Sequence, residues 1–96
     1  MTSDEVKDYL ENYRERKTIA GYKSKNGIID LTVIRVQAIE SCMTSLPDGL
    51  GEILRMIYQD GLSLRKISKK HFFSKDTIAR RRDEAIQIIS ECLSDL

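Results

Sequence analysis

Apolar residues recur along this chain at intervals of three and four, in five blocks separated by short polar breaks; that period belongs to helices that bury one face. The first block spans residues 3–24. Ser3 is its expected N-cap, and Asp4 and Glu5 suit the positive end of the helix dipole. Val6, Leu10 and Tyr13 share one stripe with Tyr9 beside it, the run Arg14–Lys17 reads as solvated, and Ile19, Ala20 and Tyr22 resume the apolar signal. Residues 23–27 form a break in which Asn26-Gly27 tolerates positive φ. Asp30 then caps a second helix running to about Thr44, with Val33, Val36, Ile39 and Met43 on its inner face; its β-branched residues make a strand a weaker competitor.

Leu46-Pro47-Asp48 opens the expected third helix, with Pro47 at the first helical position, where its missing N–H costs nothing. Leu50, Ile53, Leu54 and Ile57 face inward, Gly49 and Gly51 weaken the first turns, and Asp60-Gly61 supplies a left-handed stop. The fourth helix covers Ser63–Lys70, capped by Ser63, with Leu64 and Ile67 inward. The fifth follows Ser74 and ends near Cys92, with Ile78, Ala85, Ile89 and Leu93 on its inward stripe and Ile86 and Ile88 widening it. The expectation is an all-α fold of about five helices. Residues 1–27 form an N-terminal helix and turn, and residues 28–96 form a helical body whose residues 63–93 are a helix-turn-helix, with Ile67 and Ile78 as anchors.

Charge sharpens that pattern. The 96-residue chain carries only +1, but Gly61–Arg82 holds eight cations against the single acid Asp76, a local balance of +7, while residues 1–12 and 83–96 carry −3 and −4. A basic segment between acidic ends orients a protein on a polyanion, and double-stranded DNA is the partner it implies. With Ile78 inward, Lys75, Asp76, Ala79 and Arg80 are the expected base-reading positions. Lys75 or Arg80 would donate to guanine, Asp76 would accept from cytosine, and Ala79 would touch a thymine methyl. Ser63, Arg65, Lys66, Ser74, Thr77 and Arg82 are the expected phosphate contacts. His71 reads as a turn residue over the core, and Phe72 and Phe73 as core and turn packing. Val6, Tyr9, Leu10 and Tyr13 are either internal packing or a surface for a partner, such as a second copy of the chain.

Other chemistry is thinly represented. One His and two Cys, at positions 42 and 92, cannot build a four-ligand zinc site without carboxylates, and no catalytic constellation or glycine-rich phosphate loop is present, so neither an enzyme nor a cofactor is expected. Both cysteines fall at apolar positions and read as buried thiols of a reduced, cytoplasmic protein. The acidic N-terminus does not read as a signal peptide, and no apolar run approaches the ~20 residues of a membrane span.

The residues Leu46-Pro47, Ile53-Leu54, Tyr58, Gly61-Leu62-Ser63, Ile67, Ser74, Thr77-Ile78 and Ala85 resemble region 4 of bacterial sigma factors, the part that binds the promoter −35 element. The longer arrangement, with Tyr13–Lys17, Ala38-Ile39-Glu40 and Thr77–Arg82, is similar to the ArpU/RinA-like regulators of phages of Gram-positive bacteria. That resemblance implies an activator of late phage genes working with the host RNA polymerase, with base contacts at Lys75, Asp76, Ala79 and Arg80. The chain departs from the sigma pattern at Ala79, where a long polar residue is common. It departs again at His71-Phe72-Phe73, where sigma-like turns carry Leu-Gly-Val and where Phe72 would have to adopt a left-handed conformation. Two other readings are a DNA-packaging or recombination adaptor, of the small terminase subunit type, and a helix-turn-helix that binds protein instead of DNA.

Overall fold

Thr2 accepts the Glu5 N–H through its hydroxyl while the Glu5 carboxylate accepts the Thr2 N–H, a reciprocal capping box that starts the chain as a helix one residue before the expected cap at Ser3. The computed structural model describes all 96 residues. Its elements are α1 (Ser3–Glu11), α2 (Tyr13–Lys25), α3 (Leu31–Ser45), α4 (Leu50–Leu54, continuing as a π-helical turn over Arg55–Gln59), α5 (Leu64–His71) and α6 (Lys75–Cys92). The fold is all-α, as expected, with six helices where the apolar periodicity predicts five. None is long and apolar enough to cross a membrane.

The extra helix arises at Asn12. Its side-chain amide donates to the Asp8 carbonyl at 2.9 Å and to the Asp8 carboxylate at 3.2 Å, beside its own backbone N–H, and its φ/ψ of −108°/27° bends the chain out of the α1 axis. Asn competes with the helical backbone in this way, and the single helix expected over 3–24 is therefore two. The run Arg14–Lys17 is also less free than its charge suggested. Arg14 donates twice to the Gln59 carbonyl at the end of the π turn, Arg16 pairs with Asp8 at 2.6 Å and lies 4.0 Å from the Tyr9 ring centre, and Lys17 pairs with Glu40.

Asp30 caps α3 through its carboxylate to the Val33 N–H, as read from the sequence, and its bond to Lys23 is the main cause of a carboxyl pKa below the ordinary value. The start of α4 differs from expectation. Leu46 is extended ahead of Pro47, and the Pro47 carbonyl accepts from Leu50 across Asp48 and Gly49, whose φ angles of 55° and 74° are both left-handed. Pro47 thus sits in a turn with two positive-φ central residues instead of at the first helical position. Gly51 then meets α3 so closely that a Cβ there would overlap the Met43 carbonyl oxygen.

This approach lets α4 serve two cores. Leu50 and Leu54 join the larger one, which draws Val6, Tyr9 and Leu10 from α1, Tyr13 and Ala20 from α2, Val33, Val36, Ile39 and Met43 from α3, and Ala85, Ile86 and Ile89 from α6. Ile53 and Met56 turn the other way and close a smaller core with Ile67 of α5 and Ile78 of α6. Residues 1–27 are therefore part of the main body. The four residues Val6, Tyr9, Leu10 and Tyr13, between 0% and 8% exposed, are interior packing and not a partner surface. Tyr13 additionally donates from its hydroxyl to Glu40 at 2.7 Å, and burial, followed by that carboxylate, holds its pKa above the ordinary phenol value.

Exchange of Gly51 for Ala tests the α3–α4 contact. We expect Gly51→Ala to lower unfolding stability by about 2–4 kcal/mol in urea titration, because backbone must move to admit the methyl group; a change within ~0.5 kcal/mol would mean that the crossing is looser than described.

Candidate nucleic-acid interface

Ser63 and Ser74 each occupy extended backbone and accept the N–H three residues ahead, from Lys66 at 3.2 Å and from Thr77 at 3.1 Å, so α5 and α6 start where the sequence placed them. Between them the chain turns sharply at Phe72, whose φ of 60° is the left-handed conformation anticipated for a turn lacking glycine. The Ser68 hydroxyl donates to the Phe73 carbonyl and holds the turn from inside. Ile67 and Ile78, 1% and 0% exposed, are the anchors that dock both helices on Ile53 and Met56. α5 and α6 are thus two capped helices joined by a tight turn over one shared apolar anchor, the order of elements of a helix-turn-helix.

Phe72 corrects one expectation: it is 96% exposed and packs on nothing, because the left-handed residue of the turn projects away from both helices. Phe73 is partly covered by the Arg81 guanidinium, 4.8 Å from its ring centre, and Arg81 also donates to the Asp48 carbonyl at 3.3 Å. Arg81 thereby straps the turn to the start of α4, a role the sequence reading missed. The signal was available in the spacing: Arg81 and Arg82 stand three and four residues after Ile78, on its side of the helix.

Arg82, expected among the phosphate contacts, is less free than the others. Its side chain is 26% exposed, pairs with Asp83 at 3.0 Å, and lies near enough to Tyr58 to oppose the rise that burial causes in that phenol's pKa. The other sites divide cleanly. Lys75, Asp76 and Arg80 are exposed at the start of α6, with Ala79 half-buried beside them. Ser63, Arg65, Lys66 and Ser74 are exposed along α5 and at the two caps, together with Lys69 and Lys70. Thr77 is half-buried, its N–H is taken by Ser74, and its hydroxyl accepts from Ser74 at 2.9 Å and from Arg80 at 3.5 Å. Thr77 therefore orients Arg80 at least as directly as it faces outward. Farther along α6, Asp83, Glu84 and Glu91 are exposed, so the cationic surface is confined to its first turns and to α5.

A cleft of about 740 Å³ lies behind this surface, between α4 and the helix-turn-helix, floored by Ile53, Met56, Ile67 and Ile78 and edged by His71, Arg80 and Arg81. His71 covers this small core as expected, with its Nε2 buried and unbonded. No group of three or more His, Cys, Asp or Glu side chains is placed to hold a metal ion. Comparison of the chain with protein-family models, curated protein sequences and solved structures finds no match.

The exposed left-handed Phe72 yields a stability test. Phe72→Gly removes the Cβ penalty and no buried contact, so the variant is expected to be more stable by about 1 kcal/mol in chemical denaturation; destabilisation would show that Phe72 has packing that its exposure denies.

Proposed function

We propose that this protein is a sequence-specific DNA-binding transcription regulator of the sigma region 4-like kind, in the manner of the ArpU/RinA-like phage activators, acting on promoter DNA together with RNA polymerase. One observation carries the reading. Lys75, Asp76 and Arg80 are exposed at the first turns of a helix whose opposite face is anchored by Ile78, while Arg65, Lys66, Lys69 and Lys70 stand exposed on the helix before it. Such a surface offers hydrogen-bonding side chains to a major groove and cations to the strands on either side. Arg80 is the principal base reader, since Thr77 orients it; Lys75 and Asp76 assist, and Ala79 supplies at most an apolar contact. Ser63, Arg65, Lys66 and Ser74 hold the backbone.

A single small helix-turn-helix binds weakly, and the hairpin of α2 and α3 offers a way to double it. Six of the eight exposed large hydrophobics, Ile19, Tyr22, Ile28, Ile29, Leu31 and Ile34, fall there. They are the main concentration of exposed apolar side chains in the chain, the kind of surface that marks an interaction site. The Lys23–Asp30 pair at the turn neutralises its own charges, so the patch faces a second copy of the chain without like-charge repulsion there.

Sequencing of genomic fragments retained by the purified protein at about 150 mM salt is expected to give an enriched motif upstream of genes; retention without sequence preference would favour the packaging-adaptor reading instead. On that motif, Arg80→Ala is expected to weaken binding by about 1–3 kcal/mol and relax one base position, while Lys66→Ala weakens all sequences alike and lowers the salt slope by about one. Equal loss from both changes on every sequence would overturn the division of roles. Sedimentation equilibrium is expected to show a dimer that Ile29→Asp converts to a monomer; a wild-type monomer at tens of micromolar would defeat the hairpin interface while leaving the DNA reading intact.

A further inference from the structure

Cys42 and Cys92 are separated by 49 residues and both read from the sequence as buried thiols, which Cys92 is not. The fold brings them together. Both line one shallow cleft between α3 and the end of α6, with Ser45, Leu46 and Ile88 beside them. Their surroundings differ. Cys92 is exposed in the last turn of α6, whereas Cys42 is half-buried. Burial, and then the adjoining Cys92 thiol, push the Cys42 thiol above its ordinary pKa, so Cys42 is the poorer first nucleophile.

We propose that Cys42 and Cys92 form a dithiol site that reacts with small-molecule disulfides and closes into an intramolecular disulfide joining α3 to the end of α6. In the first step the Cys92 thiolate attacks one sulfur of the small disulfide. A mixed disulfide forms on Cys92, the small molecule's own S–S bond breaks, and one of its thiolates leaves. In the second step the Cys42 thiolate attacks the Cys92 sulfur. The protein disulfide forms and the second small thiolate leaves; the two protons given up by the cysteines end on the two released thiols. The protein loses two electrons and the small disulfide gains them.

The position of the bond gives it a consequence. The ring it closes contains α4, α5 and nearly all of α6, hence the entire helix-turn-helix and the small core beneath it. Tying the ends of so long a segment restricts the unfolded chain far more than the folded one, in the entropic account of cross-link stabilisation. The oxidised protein therefore keeps its helix-turn-helix folded at temperatures that melt the reduced one. The inference stands apart from the DNA reading, since neither cysteine lies on the cationic surface.

The test exposes the intact chain to oxidised glutathione and follows it by intact mass, peptide mapping and thermal melting. The expected product is a monomeric chain lighter by two hydrogen atoms, with a Cys42–Cys92 peptide pair and a melting temperature higher by roughly 10 °C, reversed by dithiothreitol. Cys42→Ser is expected to stop at the mixed disulfide on Cys92, and Cys92→Ser to leave Cys42 largely unreacted over the same time. A wild-type chain that keeps glutathione on Cys92, cross-links only between chains, or closes the bond without a rise in melting temperature would overturn the proposal.

Discussion

The contact between Gly51 and the Met43 carbonyl is the constraint on which the rest of the molecule depends. A side chain of any size at position 51 would push α4 off α3, and α4 is the only short helix that contributes to both apolar clusters. Leu50 and Leu54 look into the main body, while Ile53 and Met56 look toward α5 and α6. The helix-turn-helix has too few apolar residues to fold on its own surface; it is stable because α4 presents a floor at the right height. The two left-handed residues at 48 and 49 and the π turn at 55–59 are the local adjustments that let a five-residue helix meet this double demand.

Electrostatics are arranged around that scaffold with a clear division of labour. Acids and cations of α1, α2 and α3 are largely spent on one another: Arg16 on Asp8, Lys17 on Glu40, Lys23 on Asp30 and Arg35 on Glu5. Exposed pairs of this kind contribute little to stability, typically below 1 kcal/mol each, but they leave the body without a strong field of its own. The uncompensated cations gather on α5 and the start of α6. The acidic stretch that follows on α6 limits how far along that helix a polyanion is attracted.

What could be read in the sequence follows from the range of the interaction responsible. The caps at Asp30, Ser63 and Ser74, the stop at Gly61 and the left-handed Phe72 were legible because each depends on a few neighbouring residues. So were the inward positions of α3, α5 and α6, which recur at helical spacing, although in α6 Arg81 and Arg82 fill the turn between Ile78 and Ala85. The break at Asn12 is local too, but it turns on one side-chain amide competing for one carbonyl, against an apolar stripe that runs straight through it. The Gly51 approach and the meeting of Cys42 with Cys92 depend on residues far apart in the chain and left no local trace, whereas for the Arg81 strap the spacing from Ile78 gives the side of the helix but not the partners, Phe73 and Asp48. The α1 stripe was ambiguous in kind: Val6, Tyr9, Leu10 and Tyr13 present the same pattern whether their cover comes from within the chain or from outside, and only the packed structure distinguishes the two.

Arg81 and Arg82 also change how the basic segment should be counted. A polyelectrolyte such as duplex DNA loses condensed ions in proportion to the phosphates actually neutralised, not to the formal charge of the approaching surface. Two of the eight cations between Gly61 and Arg82 are already engaged, one across Phe73 and Asp48 and the other with Asp83, which leaves Arg65, Lys66, Lys69, Lys70, Lys75 and Arg80. On the DNA-binding reading proposed above, at about 0.9 ion per phosphate, the ion release of one copy would lie nearer five than seven. On that reading, the sensitivity of the complex to its ionic surroundings would be set as much by an arginine clamp beneath the turn as by the lysines that face outward.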